Sequence, residues 1–240
     1  MKKSKQRIIT LCLSAAITAG TVFAPISASA SIDTQLDGQV TVFHQGEEGD
    51  CGAVSAIQAF DNSTYGKGFI MNLITENRDG SYTLNFGTGK VNVSREEAID
   101  SKIIGDFDAK VIEAALQKEM NVYDGCFACD VFTKMTGFKQ KQIRGTKNKT
   151  KLLNTMAKAC YSGKGITAAC DFEIGDESNG ILGDGAHSYS IRCVLDDYVV
   201  VINPWDTSEY IYLTRSQFEN SIRYMTYVDN SAKKVLVYWN

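Results

Sequence analysis

Few residues in this 240-residue chain can do covalent chemistry, and four of them fall in an informative order. Cys51 closes the Gly- and acid-rich stretch Gln45-Gly46-Glu47-Glu48-Gly49-Asp50 and opens the small, apolar run Gly52-Ala53-Val54-Ser55-Ala56-Ile57. His187 follows 136 residues later in Gly185-Ala186-His187-Ser188-Tyr189-Ser190, and Asn203 another 16 residues on, in Val201-Ile202-Asn203-Pro204-Trp205. A thiol is a weak nucleophile at neutral pH unless its pKa is lowered and a base is held beside it. The imidazole that serves as base needs an acceptor on its other nitrogen to fix tautomer and rotamer. Acyl transfer further needs donors where the carbonyl oxygen becomes an anion. Cys51, His187 and Asn203 supply nucleophile, base and orienting acceptor; the Cys51 N–H and the Gln45 amide supply the donors.

Local structure must bring these residues together. Val54, Ile57 and Phe60 recur at helical spacing from Cys51 to Phe60, and Ala53, Ala56 and Ala59 permit close packing, so this segment is expected to be a helix with Asp50 as its N-cap. Cys51 would then occupy the first turn, where unpaired N–H groups and the helix dipole favour a thiolate. Further helices are expected over 108–120 and 151–161, and a hairpin over 81–86 and 90–94. From Ile166 the pattern turns to strands, at 166–172, 188–195, 198–203, 209–213, 223–228 and 235–239. The Asp196-Asp197 turn makes a hairpin of the second and third. The start of one strand then lies beside the end of the next, which brings Asn203 to His187 and lets Trp205 shield their bond. The expected architecture is α+β, with a helical half carrying Cys51, a strand-rich half carrying His187, and a cleft between them.

The N-terminus bears on compartment. Met1 to Arg7 holds four basic residues and no acid, Ile8 to Ile26 is uncharged, and Ala28-Ser29-Ala30 has the small residues that precede a signal cleavage site. Residues 1–30 are therefore expected to be a secretory signal and the mature protein secreted, with the lobes at 31–165 and 166–240. No later run reaches the ~20 apolar residues of a membrane span. A net charge of -3 argues against nucleic acid or an anionic membrane as partner. Cys51, Cys126, Cys129, Cys160, Cys170 and Cys193 remain beyond the signal; if Cys51 is free, five are left, which cannot all pair within one chain. Cys126 and Cys129 lack a second Cys or His pair at zinc spacing, so a local disulfide or two buried thiols is expected there. His44 is read as structural or cleft-lining, and Glu47 and Glu48 as a solvated turn. Asp176, Glu177 and Asp184 are read as a solvated loop in preference to a cation site.

Each residue alone is ordinary: a cysteine near a helix start is more often a small buried hydrophobe, and Asn-Pro is a common turn. Their conjunction carries the weight. Gln45-Gly46-x-x-Gly49-Asp50-Cys51, Gly183-x-x-Ala186-His187-Ser188-Tyr189-Ser190 and Asn203-Pro204-Trp205 resemble the papain-clan cysteine peptidases, and within them the calpain protease core. The Cys-to-His interval falls in the ~130 to 150 residues of papain-type enzymes. The resemblance runs from about Val40 onwards. It implies a papain-like two-lobed fold and a secreted, bacterial-type, Cys-His-Asn endopeptidase with Gln45 in its oxyanion hole. Polypeptides would be its substrates, an inhibitor protein a conceivable further partner, and the monomer its working form. Two departures alter the walls of the site: Gly52 where the family usually has Trp, and Asp206 where it usually has Gly. No cofactor is expected; the calcium ligands of calpains have no match here. A transglutaminase-like acyl transferase and a non-catalytic binding protein are the alternatives.

Overall fold

The computed structural model describes residues 34–64, 66–138, 140–144, 149–170 and 187–227. The expected signal, the strand at 235–239 and the acidic loop with Asp176, Glu177 and Asp184 lie outside the described residues. Residues 32–240 form one compact unit. The chain is α+β, and no helix among the described residues is long and apolar enough to cross a membrane.

The chain order begins β1 (Phe43–His44), α1 (Cys51–Asp61), α2 (Gly66–Leu73), β2 (Ile74–Glu76), β3 (Tyr82–Phe86), β4 (Gly89–Val93), α3 (Arg95–Ile99) and β5 (Ile104–Gly105). It continues with α4 (Phe107–Met120), a 3₁₀ turn (Val122–Asp124), α5 (Ala128–Thr136), β6 (Lys141–Arg144), α6 (Lys149–Tyr161) and β7 (Ile166–Cys170). The last elements are β8 (His187–Val194), β9 (Tyr198–Asn203), β10 (Asp206–Thr214), α7 (Arg215–Ser221) and β11 (Ile222–Tyr227). β7 to β11 and β6 make an antiparallel sheet in the order β10-β9-β8-β7-β11-β6; β2-β3-β4 form a small meander, and β1 pairs with β5.

α1 is the axis of the fold because its sequence leaves no polar face long enough to meet water. Ala53, Val54, Ala56, Ile57, Ala59 and Phe60 are all fully buried, packed into a core with Val111, Ile112, Ala115 and Leu116 of α4 and Val131, Phe132 and Met135 of α5. Phe60 stacks on Phe69 and meets Phe132 edge-on. Small residues at 53, 56 and 59 let neighbouring elements approach closely. A second core lies between α6 and the large sheet, made by Leu152, Leu153, Met156, Tyr189, Ile191, Val199, Val201, Leu213 and Phe218. α6 thus packs with the strands. A boundary at residue 165 would separate that helix from its partners, because hydrophobic burial rather than helix content groups the elements.

The helices expected at 51–60, 108–120 and 151–161 and the two hairpins agree with the structure to within a few residues. α2, α3, α5, α7 and β6 fall in stretches for which no element was expected. All five are short, between four and nine residues, too short for a clear period to stand out.

Candidate active site

Cys51 begins α1 and is partly buried. The backbone N–H groups of Ser188, the residue after His187, and of Gly52 and Cys51 all act on its thiol in the sense that favours the thiolate. Two side-chain bonds fix that register along α1 and β8. Ser55 Oγ and Ser188 Oγ are 2.7 Å apart, and Ser190 Oγ donates to Gln58 Oε1 at 2.7 Å. Ser55, Gln58 and Ser190 are buried, so losing either bond would strand a polar group in the core. Cys51, Ser55 and Gln58 fall on one stripe of α1 at spacings of four and three. That polar stripe on an otherwise apolar helix was the signal, overlooked in reading the sequence, that this face meets something polar.

His187 opens β8, and Asn203 ends β9, its antiparallel neighbour. His187 Nε2 lies 2.9 Å from Asn203 Oδ1. That Asn203 atom also accepts the Trp205 N–H at 3.1 Å, which identifies it as the oxygen of the amide. Nε2 must therefore be the donor, and in the neutral ring Nδ1 carries the lone pair. The Trp205 indole stacks on the imidazole with 6.0 Å between centroids and 15° between planes, and is half exposed. It covers one ring face while Tyr189 meets the ring edge-on at 5.0 Å.

Gln45 reaches the same place by a different route. Its backbone N–H donates to the Pro204 carbonyl at 2.7 Å, tying the strand before Cys51 to the corner after Asn203. Its side-chain Nε2 donates to the Glu48 carbonyl at 2.6 Å. A primary amide has two N–H bonds, of which the Glu48 carbonyl takes one. The turn that aims it is pinned by close approaches. A Cβ on Gly46 would lie 2.3 Å from the Lys102 carbonyl oxygen, and Gly49 N–H donates to the Tyr123 carbonyl at 3.1 Å.

The structure answers what Gly52 does. A Cβ there would lie 2.1 Å from the Cys126 carbonyl oxygen and 3.0 Å from Cys126 Sγ. The backbone of residue 126 occupies the space a larger side chain would need. Cys126 carries a free thiol, as do Cys51 and Cys160. The local disulfide considered between Cys126 and Cys129 is therefore absent, and the partly buried thiols remain.

Two expectations require correction. Asp50 occupies the N-cap position, but its side chain makes no capping bond. The thiol is not depressed: burial pushes Cys51 above its ordinary value, Ser188 N–H pulls it back, and nearby Asp50 pushes it up again. Burial likewise lowers His187 below its ordinary 6.5, against the Asn203 bond, which raises it. Helix-start donors act as expected; desolvation outweighs them. Among the described residues no group of three His, Cys, Asp or Glu side chains is placed to hold a metal.

No protein-family model matches the chain, and no curated protein is similar enough to register as a relative.

Proposed function

We propose that this chain is a secreted, calpain-like cysteine endopeptidase of the papain-like two-lobed type, with Cys51 as nucleophile, His187 as base, Asn203 as orienting residue and Gln45 in the oxyanion hole. The observation that carries the reading is the His187 Nε2 to Asn203 Oδ1 bond at 2.9 Å across β8 and β9, with the helix that Cys51 begins tied to the residue after His187 by the Ser55–Ser188 bond. As the Cys51 sulfur bonds the scissile carbonyl carbon, its proton passes to His187 Nδ1. The carbonyl oxygen becomes an anion between the Cys51 N–H and the Gln45 amide. Collapse expels the amine, which takes the proton from Nδ1 and leaves a thioacyl enzyme. Water, deprotonated by Nδ1, then releases the acid and restores the thiol. Asp206, the acid nearest in sequence to Asn203, has Oδ1 engaged by the N–H and hydroxyl of Ser208. This favours the Asn-oriented peptidase over an acyl transferase whose imidazole is held by aspartate.

Iodoacetamide labelling of the purified protein, located by peptide mass spectrometry, tests the nucleophile. Cys51 should label ahead of Cys126, Cys129, Cys160 and Cys193 at neutral pH; equal labelling overturns the assignment. Release of casein fragments, unaltered by added amine, separates hydrolysis from acyl transfer. A folded protein that neither labels nor cleaves is the binding-protein outcome.

The pKa directions predict the pH profile. With the imidazole below 6.5 and the thiol above its ordinary value, the pair near neutrality is thiol and neutral imidazole. Protonating His187 removes the base, so kcat/KM and Cys51 labelling should hold through pH 6.5 and fall together only below it. A preformed thiolate-imidazolium pair would instead keep labelling intact to about pH 4.

Gln45→Ala should lower kcat about 100-fold, the typical cost of one oxyanion donor. Iodoacetamide labelling of Cys51, which develops no oxyanion, should change little. Equal losses in both assays would mean that Gln45 only supports the fold.

A further inference from the structure

That mechanism leaves two buried acids unused. Asp50 and Glu113 of α4 are each 0% exposed, and the Glu113 side chain lies close enough to Asp50 to act on its carboxyl. Two carboxylates cannot share a hydrogen bond without a proton. Glu113 Oε2 accepts from Ser101 Oγ, from Ile103 N at 3.0 Å and from Tyr123 Oη at 3.4 Å, so that oxygen is already supplied with donors. Glu113 Oε1 and both Asp50 oxygens are buried with no hydrogen-bond donor among the described residues. A proton on Asp50 would supply the donor that these buried oxygens lack.

We infer that Asp50 and Glu113 are positioning residues for Cys51: a carboxyl pair sharing one proton, which ties the start of α1 to α4 and keeps the residue before the nucleophile uncharged. The inference rests on Cys51 being the nucleophile. It accounts for the missing cap bond, since the Asp50 side chain turns to Glu113 instead of the first-turn N–H groups. The Ala53 N–H is taken by the Asp50 carbonyl at 2.8 Å, and the Gly52 and Cys51 N–H groups act on the thiol. The titratable groups acting on or facing Asp50 are Glu48 of the turn, Cys51 of α1, Glu113 of α4, Tyr123 of the 3₁₀ turn and Cys126 ahead of α5. None of these is a cation. Burial, then Glu113, hold Asp50 protonated up to about 9, and an ionised Asp50 would work against the thiolate next to it.

Infrared difference spectra and Cys51 labelling together test the pair. Wild type minus Asp50→Asn at pH 7 should show the carbonyl stretch of a buried protonated carboxyl, fading as pH is raised through about 9. Asp50→Asn, whose amide N–H replaces the O–H, should keep Cys51 labelling at neutral pH, whereas Asp50→Ala should lose it. Glu113→Gln removes a cause that raises Asp50 while burial remains, so the infrared band should persist at pH 7 and fade at a lower pH than in wild type. Absence of the band in wild type, or Asn failing to rescue what Ala loses, overturns the inference. The infrared band does not depend on Cys51 chemistry. Its presence alongside unselective labelling would sink the nucleophile assignment, and with it the positioning role, while leaving the shared proton in place.

Discussion

Replacing His187 with alanine is expected to cut kcat/KM for a peptide substrate by about 10³-fold or more. The imidazole would take the thiol proton and later give it to the leaving amine, and the described structure places no other imidazole on this strand pair. Burial holds the Cys51 thiol above its ordinary value, so without the base almost none ionises at neutral pH. Asn203→Ala should cost less, about 10- to 100-fold. It removes the acceptor that keeps the proton on Nε2, yet Trp205 and Tyr189 still confine the ring. That order of effects, His187 far above Asn203 with KM little changed, is read from initial rates over a range of substrate. Retained turnover in His187→Ala would overturn the assignment outright.

Gly52→Ala is expected to destabilise the protein by about 3 kcal/mol, a fall in melting temperature of roughly 10 °C. The added Cβ would lie 2.1 Å from a backbone oxygen of Cys126, and backbone cannot swing aside as a side chain can. Gly68, inside α2, is the control: a Cβ there meets nothing within 4 Å. Gly68→Ala should be neutral or stabilising by up to about 1 kcal/mol, as alanine is the better helix former. Thermal unfolding followed by circular dichroism compares the two. Similar melting temperatures for the two variants would mean that the segment at Cys126 is not packed on α1. Tryptophan at 52, the residue of the resembling family, should be worse than alanine, because nothing short of moving residue 126 makes room for it.

These two sites mark what was and was not legible in the sequence. The order Gln45, Cys51, His187, Asn203 was readable because each residue type is scarce or chemically specific. The β8–β9 pairing was readable because Val, Ile and Tyr alternate around a two-residue acidic turn, and that pairing alone brings His187 to Asn203. α1 was legible because it is long enough for a 3.6-residue period to emerge. The short helices and β6 were not, since their hydrophobic sides are complete only when α1 or the large sheet lies against them.

The sequence by itself thus determined which groups could react, and the α+β plan that carries them. Only the tertiary structure decided their electrostatics and tolerances. The sense of the Cys51 shift depends on how much water packing removes, which no local pattern encodes; desolvation proved larger than the helix-start donors. Asp50 looked like a cap because capping is decided by three neighbouring residues, yet its partner Glu113 is 63 positions away. Gly52 looked like a departure from a pattern, and it is the residue that lets the chain at Cys126 rest on α1. Each of these is a contact between segments distant in sequence, and such contacts exist only once the chain has folded.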